Sequence, residues 1–377
     1  MAAELATKPR IAEEQVFTAP QWKLVWWRFS KSKAAVISGV VLVLFYLTAI
    51  FCEFVSPYSR DRYDAKYVWA PPQTVHIRDE QGKLTTPFVY GYTSTRDMKS
   101  LALVFEEDTT QKYNLGLFVH GDSYKMWGLW QTDIHLFGIS SQDNKTDMFY
   151  LWGSDGIGRD LLSRVLYGGR TSLSIGLVGV LMSLFLGVFF GGISGLFGGI
   201  VDVLIQRFIE ILRSIPGIPL WLTLAAAIPS GWSITQVYFA ITIILSFLSW
   251  TGVAREVRGK FLSIRGEDYV LSAKLAGASE MRIIMRHMVP SFTSHLIASL
   301  TLTIPDMILS ETALSFLGLG LQPPAVSWGV LLQDAQNVRA IALSPWLLIP
   351  GLLIIIVVLA FNFIGDGLRD AADPYAN

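Results

Sequence analysis

Six stretches of the chain are apolar over about twenty residues or more, and polar segments of very unequal length separate them. They fall at 34–55, 171–197, 201–228, 234–253, 288–309 and 345–364. A helix needs roughly 20 apolar residues to cross the hydrocarbon of a bilayer, so each is long enough to span it. None alternates apolar and polar positions as a barrel strand does. The third differs from the rest, because Gln206, Arg207, Glu210 and Arg213 crowd its first half. That half is expected to be interfacial or to face the bundle, with Pro216 and Pro219 kinking the chain before the apolar remainder.

Two polar segments carry most of the remaining information. Residues 255–290 cannot sit in lipid, since each central Arg, Lys or Asp would cost roughly 2.5–3.5 kcal/mol there. Tyr269, Val270, Ala273, Leu275 and Ala276 recur at helical spacing, with Lys274, Glu280 and Arg282 interleaved. This pattern predicts a short amphipathic helix suited to docking, ended by Gly277, with Pro290 opening the next apolar stretch. Residues 56–150 are mixed in composition and rich in aromatics. The alternation between His76 and Tyr92, with Gln81-Gly82 as a turn, predicts a hairpin. Its aromatics have two readings: a stacking surface for sugars or peptides, or the small core of a folded insert.

Composition fits a membrane chain: 52% of residues are hydrophobic and 16% charged, where soluble chains carry about 25% charged. Net charge is zero, so nothing points to nucleic acid. The single Cys52 excludes an intrachain disulfide and a cysteine metal cluster. Lys8, Arg10, Lys23, Arg28, Lys31 and Lys33 precede the first span, and Arg255, Arg258, Lys260, Arg265, Lys274, Arg282 and Arg286 fill the charged block. Six spans put both groups, and the C-terminus, on one side, which the positive-inside rule makes the cytoplasm. Trp22, Trp26, Trp27 and Trp346 are placed as interfacial anchors, and no cleavable signal is expected. The fold class is an all-α polytopic membrane protein with a small mixed or β insert. Its expected parts are a cytoplasmic tail (1–33), a first helix (34–55), an insert on the outer side (56–150), a core of five spans (151–367) holding the charged loop (254–290), and a second cytoplasmic tail (368–377).

Ionisable residues at membrane depth are functional candidates by default. Glu210 and Arg213, three apart, share a helix face and are expected to neutralise each other. Asp306, after Pro305 at an expected helix break, and Glu311 either line a pathway or pair inside the bundle. Asp366 and Arg369 read as a cytoplasmic helix end. There is no G-x-x-x-x-G-K-[ST] loop: Gly259-Lys260 is followed by Phe261. The chain therefore holds no ATP by that motif. The five histidines are scattered, and no metal set or nucleophile–base pair stands out. The chain is expected to be no enzyme.

Four segments carry a specific resemblance. GSDGIGRDLLSRVLYGGRTSLSIGL (153–177) resembles the entry to the second span in permeases of the dipeptide/oligopeptide/nickel family of ABC importers. LSAKLAGASEMRIIMRHMVP (271–290) resembles the cytoplasmic EAA loop of such permeases. ETALSFLGLGLQPPAVSWGVLL (311–332) and GDGLRDAADP (365–374) match the family's last outer loop and C-terminus. The resemblance implies the type I importer permease fold with six helices, in the bacterial inner membrane. It further implies a homologous second permease, two ATPase subunits that bind ATP and Mg, and a periplasmic binding protein, with no cofactor on this chain. It makes 271–290 a coupling helix docking on an ATPase through Leu271, Ser272, Ala273, Lys274, Ala276, Gly277, Ala278, Arg282, Arg286 and Pro290. Ala273 and Ala276 would allow close approach, and Glu280, Arg282 and Arg286 would make rim contacts. The sequence departs from the pattern at Leu271, Ser272 and Val289, where the family has Glu, Ala and Leu. Gly158, Arg159, Asp160 and Arg164 form an elbow before the second span. It either touches the binding protein or orients the span, with Ser154 or Asp155 capping a short helix and Arg170 snorkelling.

Oligopeptides are the first expected substrate and oligosaccharides the second, with nickel and opines behind. An ion-coupled carrier acting alone would need inverted repeats, which the sequence does not display. A membrane receptor would need a cytoplasmic signalling domain, for which the cytoplasmic segments are too short.

Overall fold

The computed structural model describes residues 21–78, 82–96, 98, 103–140 and 147–372; Lys8, Arg10, Gln81 and Pro374 lie outside them. Among the described residues, five helices are long and apolar enough to cross a membrane, or six if one bent pair counts as a single span. A short helix α1 (Gln21–Phe29) leads into α2 (Lys33–Ile50), where the Ser32 side chain accepts from the Ala35 N–H and starts the span. Helix α3 (Leu161–Phe197) begins ten residues before the predicted span, because Asp160 caps it and no separate short helix precedes it.

The bent pair is the crowded third stretch. Its polar half forms α4 (Gly199–Ser214) and its apolar half α5 (Gly217–Ala226), with an 84° bend between them. Ile215 and Pro216 are extended there, as Pro216 requires of the residue before it. Pro219 sits in the first turn of α5, where a missing N–H costs nothing.

Helix α6 (Ile234–Ile264) opens on a capping box between Ser233 and Gln236 and runs well beyond the predicted end at 253. The first charged residues of the polar block thus form the last turns of a long helix, with Val257 and Phe261 buried on its inner side. Then come α7 (Asp268–Leu275), a wide π turn (Ile283–Met288), a 3₁₀ turn (Val289–Phe292) and α8 (Thr293–Phe316). Pro305 lies inside α8, which continues unbroken through it, so the expected helix break is absent. The last span, α9 (Ile349–Ala372), continues past the predicted end at 364.

Helices α3 and α6 pack so closely that a Cβ on Gly191 would lie 2.4 Å from the Ala254 carbonyl oxygen. Only a glycine permits that approach, and small residues at membrane interfaces let backbones meet in this way. Around this pair α2, α8 and α9 enclose Trp328, whose indole N–H donates to Val165 O (3.1 Å).

Between α2 and α3 lies a four-stranded antiparallel sheet in the order β1 (His76–Arg78), β2 (Leu84–Arg96), β3 (Leu103–Met126), β4 (Trp130–Ile139). The predicted hairpin is the β1–β2 pair, with His76 opposite Phe88. Tyr58, Val89, Tyr113, Phe149 and Tyr150 bury themselves together beneath the sheet, so many of the insert's aromatics are its own core. Trp346, half-buried in the turn before α9, donates to Ser154 O (3.0 Å), which ties that turn to the segment before α3.

Candidate functional site

Helix α7 is held by one side and open on the other. Val270 is buried among Val257, Phe261, Ile283, Ile284 and Met288, and Ala273 packs against the same cluster. Ala273 is thus small for packing on its own chain, while Ala276 is exposed. Leu271 is exposed and Leu275 is 89% exposed; Ser272, Lys274 and Gly277 share that outer surface, and Ala278 is half-buried. The helix ends in a Schellman turn: Ala278 N–H donates to Ala273 O (3.1 Å) and Gly277 N–H to Lys274 O (3.0 Å). Gly277 takes φ +78° there, a conformation glycine adopts without penalty. Lys274 Nζ lies 3.9 Å from Glu280 Oε1 and ties the helix to the start of the next turn. Arg282, Arg286 and Pro290 are exposed beyond it. Leu271, Ser272, Lys274, Leu275 and Ala276 are therefore exposed on a helix whose buried side, Val270 and Ala273, is fixed.

The π turn beneath α7 was not legible in the sequence. It swings Ile283, Ile284 and Met288 inward together while Met285 and Arg286 stay outside. Such insertions recur at functional sites. Two polar links join the same ends of the spans. Arg258 near the end of α6 grips Asp202 of α4 with two hydrogen bonds (Nε–Oδ1 2.5 Å, Nη2–Oδ2 2.6 Å), and Ser194 Oγ donates to Asp202 as well. Glu256 accepts from Ser299 Oγ (2.7 Å) and lies 2.9 Å from His295 Nε2, both on α8. These pairs are far apart in sequence, so no local spacing announced them. Glu210 pairs with Arg207 (2.7 Å), its neighbour three residues before, rather than with Arg213, three residues after.

The elbow is largely internal. Asp155, Asp160 and Arg164 are buried. Asp155 accepts from Arg159 Nε (2.7 Å) and from the Ile157 and Arg159 N–H groups, and faces Arg164 at 3.4 Å. Gly158 has φ +87°, and a Cβ there would meet the Asp64 carbonyl at 2.0 Å. The cap of α3 is Asp160, not Ser154 or Asp155: its Oδ2 accepts from the Ser163 N–H (2.7 Å) and hydroxyl (2.5 Å). Burial pushes the Asp160 carboxyl up to about 7, against these bonds, which favour its ionised form. Arg170 binds Glu53 (Nη1–Oε1 2.6 Å) and the Ala49 and Ile50 carbonyls at the end of α2.

Glu311 is fully buried and, among the described residues, has no cation paired with it; hydroxyls surround it instead. Ser172 Oγ (3.1 Å) and Ser315 Oγ (2.8 Å) donate to it, and Ser327 bonds it too. The same Ser172 oxygen accepts from the Trp328 N–H, and the Ser315 oxygen from the Leu321 N–H. Glu311 therefore organises the loop after α8 against α3, while Asp306 is exposed. The two do not share a site. Of the two readings for Glu311, internal pairing fits, with serines as partners.

Residues 187–376 match the family model described as binding-protein-dependent transport system inner membrane component. Residues 20–72 match that of the N-terminal TM domain of oligopeptide transport permease C. The oligopeptide transport system permease protein OppC of Haemophilus influenzae is 41% identical over 60% of this chain and 70% of its own length. A putative peptide permease protein of Brucella ovis is 36% identical over 67% of this chain and 82% of its own. Among solved structures, the MetNI methionine ABC transporter in inward facing conformations aligns with 56% of this chain and 98% of its own, at 20% identity and a TM-score of 0.44. The chain is a multi-pass membrane permease that belongs to the binding-protein-dependent transport system inner membrane component family, among the permeases of oligopeptide ABC importers.

Proposed function

We propose that this permease forms half of the transmembrane pathway of an ATP-driven importer, and that α7 is the surface through which ATPase subunits work it. The observation that carries this is the one-sided burial of α7: Val270 locks it to the ends of α6 and the π turn, while Leu271 and Leu275 stay open for a partner. Apolar side chains held that openly on a fixed helix mark an interaction site. A homologous second permease would complete the pathway, a binding protein would deliver the solute, and partner subunits would bind and hydrolyse ATP with Mg. Basic residues on both sides of α1 and at the end of α6 support a cytoplasmic position for these ends, and with it cytoplasmic termini in the inner membrane. The sheet insert then lies on the periplasmic side. Oligopeptides are the proposed cargo, following the name of the related permeases. Of the aromatics that suggested oligosaccharides, Tyr67 and Phe137 pack against the insert's own core, whereas Phe118, Trp127 and Trp130 are exposed.

The test is affinity purification of the tagged, full-length chain from membranes, native and with Leu275→Asp. Recovery of two ATPase subunits and a second permease with the native chain, and loss of the ATPases alone with the variant, is the expected result. Equal ATPase recovery from both would remove α7 from the coupling role. A chain recovered alone, with uptake driven by an ion gradient, would overturn the importer reading.

A further inference from the structure

The β3–β4 hairpin leaves large apolar side chains open to solvent: Leu129 is 74% exposed, Trp130 54%, and Phe118 and Trp127 are exposed as well. A soluble turn would carry polar residues here. Instead Lys125 is the single charge between residues 125 and 132. The tip is a tight turn closed by the Leu129 N–H to Met126 O (2.9 Å), with Trp127 and Gly128 both at positive φ. This geometry holds the Trp127, Leu129 and Trp130 side chains on a rigid projection.

The projection is fastened to the far end of the first span. Trp127 Nε1 donates to Ile50 O (2.8 Å), its ring stands 5.5 Å from Phe51, and Phe118 stands 6.1 Å from Phe54. Ile50 and Phe51 close an exposed apolar stripe along α2 that includes Ile37, Val40, Leu44 and Leu47. In a chain that spans the membrane, that stripe meets lipid, and the hairpin tip continues it without a polar break. The level also fits: α2 has 18 residues, about 27 Å at 1.5 Å per residue, close to the hydrocarbon thickness. Trp26 and Trp27 mark its basic end, and Trp127 and Trp130 mark the other. Tryptophan is enriched at both interfaces of a bilayer.

We propose that the hairpin tip inserts Trp127, Leu129 and Trp130, with Phe118 behind them, into the headgroup–acyl boundary of the leaflet at the far end of α2. Its partner is the phospholipid bilayer itself, and Lys125 reaches the lipid phosphates. The hairpin is thus held at two points, by the hydrogen bond of Trp127 to Ile50 O and by lipid. The orientation of the permease decides which leaflet this is; contact with lipid does not depend on it.

The full-length chain, purified with its accompanying subunits, is reconstituted in vesicles of phosphatidylethanolamine and phosphatidylglycerol. A nitroxide is attached at Leu129→Cys or Trp130→Cys, and at Ser94→Cys on the exposed part of β2, with the native chain correcting for the buried Cys52. The expected result is that labels at 129 and 130 collide several-fold more often with oxygen than with a water-soluble nickel chelate, while the label at 94 shows the reverse. Labels at 129 and 130 that meet the chelate as freely as the one at 94 would overturn the proposal. So would protection that appears only when a binding protein is added, since the occupant would then be protein.

Discussion

Replacing Gly191 by alanine tests the packing that holds the permease together. The added Cβ would lie 2.4 Å from Ala254 O and 2.9 Å from Ala254 Cα, whereas ordinary contact begins at 3.4 Å. Both neighbours are backbone atoms of α6, so no side chain can swing aside and the helices must part by about 1 Å. A gap of that size forfeits a quarter to a half of each dispersion contact along the seam. Overpacking of a tight core costs about 1–3 kcal/mol, and this site belongs at the upper end. About 3 kcal/mol lowers the folded fraction relative to the unfolded by roughly a hundredfold. Gly259→Ala, on the same α6 but with nothing within 4 Å of its Cβ, should instead gain up to about 1 kcal/mol of helix propensity. The assay is denaturant unfolding of the full-length chain in micelles, followed by reaction of the buried Cys52 thiol. Opposite shifts of the two midpoints support the reasoning; a Gly191→Ala chain as stable as the native one refutes it.

Truncating Arg258 should cost about 2 kcal/mol, because its charge-assisted bonds to Asp202 are lost, and a double-mutant cycle with Asp202→Ala should return most of that as coupling. An additive cycle would mean that the pair contributes nothing. Gly277→Ala must hold a Cβ at φ +78° or give up the Schellman turn; about 1 kcal/mol of local strain should raise amide exchange in 268–278 while the spans exchange as before. For Asp160 the folded value is raised from 3.8 to about 7. Its protonated form is the one the fold favours, so this contribution is fully present below pH 4 and is lost as the pH rises through 7. Asp160→Asn, which keeps a capping oxygen, should flatten the stability profile in that window, and an unchanged profile would count against it.

The periodicity of apolar residues and the polar interruption at 255–290 were enough to place five spans, the bent third stretch and the short helix α7, because lipid thickness and charge cost act on local sequence. The helix ends were misjudged where burial by other elements decided them. Helix α6 stays helical past 253 because Val257 and Phe261 have a cluster to fill, and α3 starts early because Asp160 finds the Ser163 N–H. Within 271–290, Gly277 was legible as a turn, whereas the inward role of Ala273 depended on the π turn that brings Ile283 and Ile284 under it. The serines around Glu311 come from α3, α8 and the loop after α8, and that convergence has no signature along the chain.

Helix α6 is 31 residues long, about 46 Å, and its last turns carry the residues that clamp α7. Any push on α7 therefore acts at the end of a stiff rod whose other end reaches the opposite side of the membrane. A tilt of roughly 5° would move the tip of such a rod by roughly 4 Å, enough to open or close a passage beside it. Since α3 is joined to α6 backbone against backbone at Gly191, the two must swing as one body. If α7 is driven as proposed, the part that moves is a two-helix beam of α3 and α6, joined at Gly191.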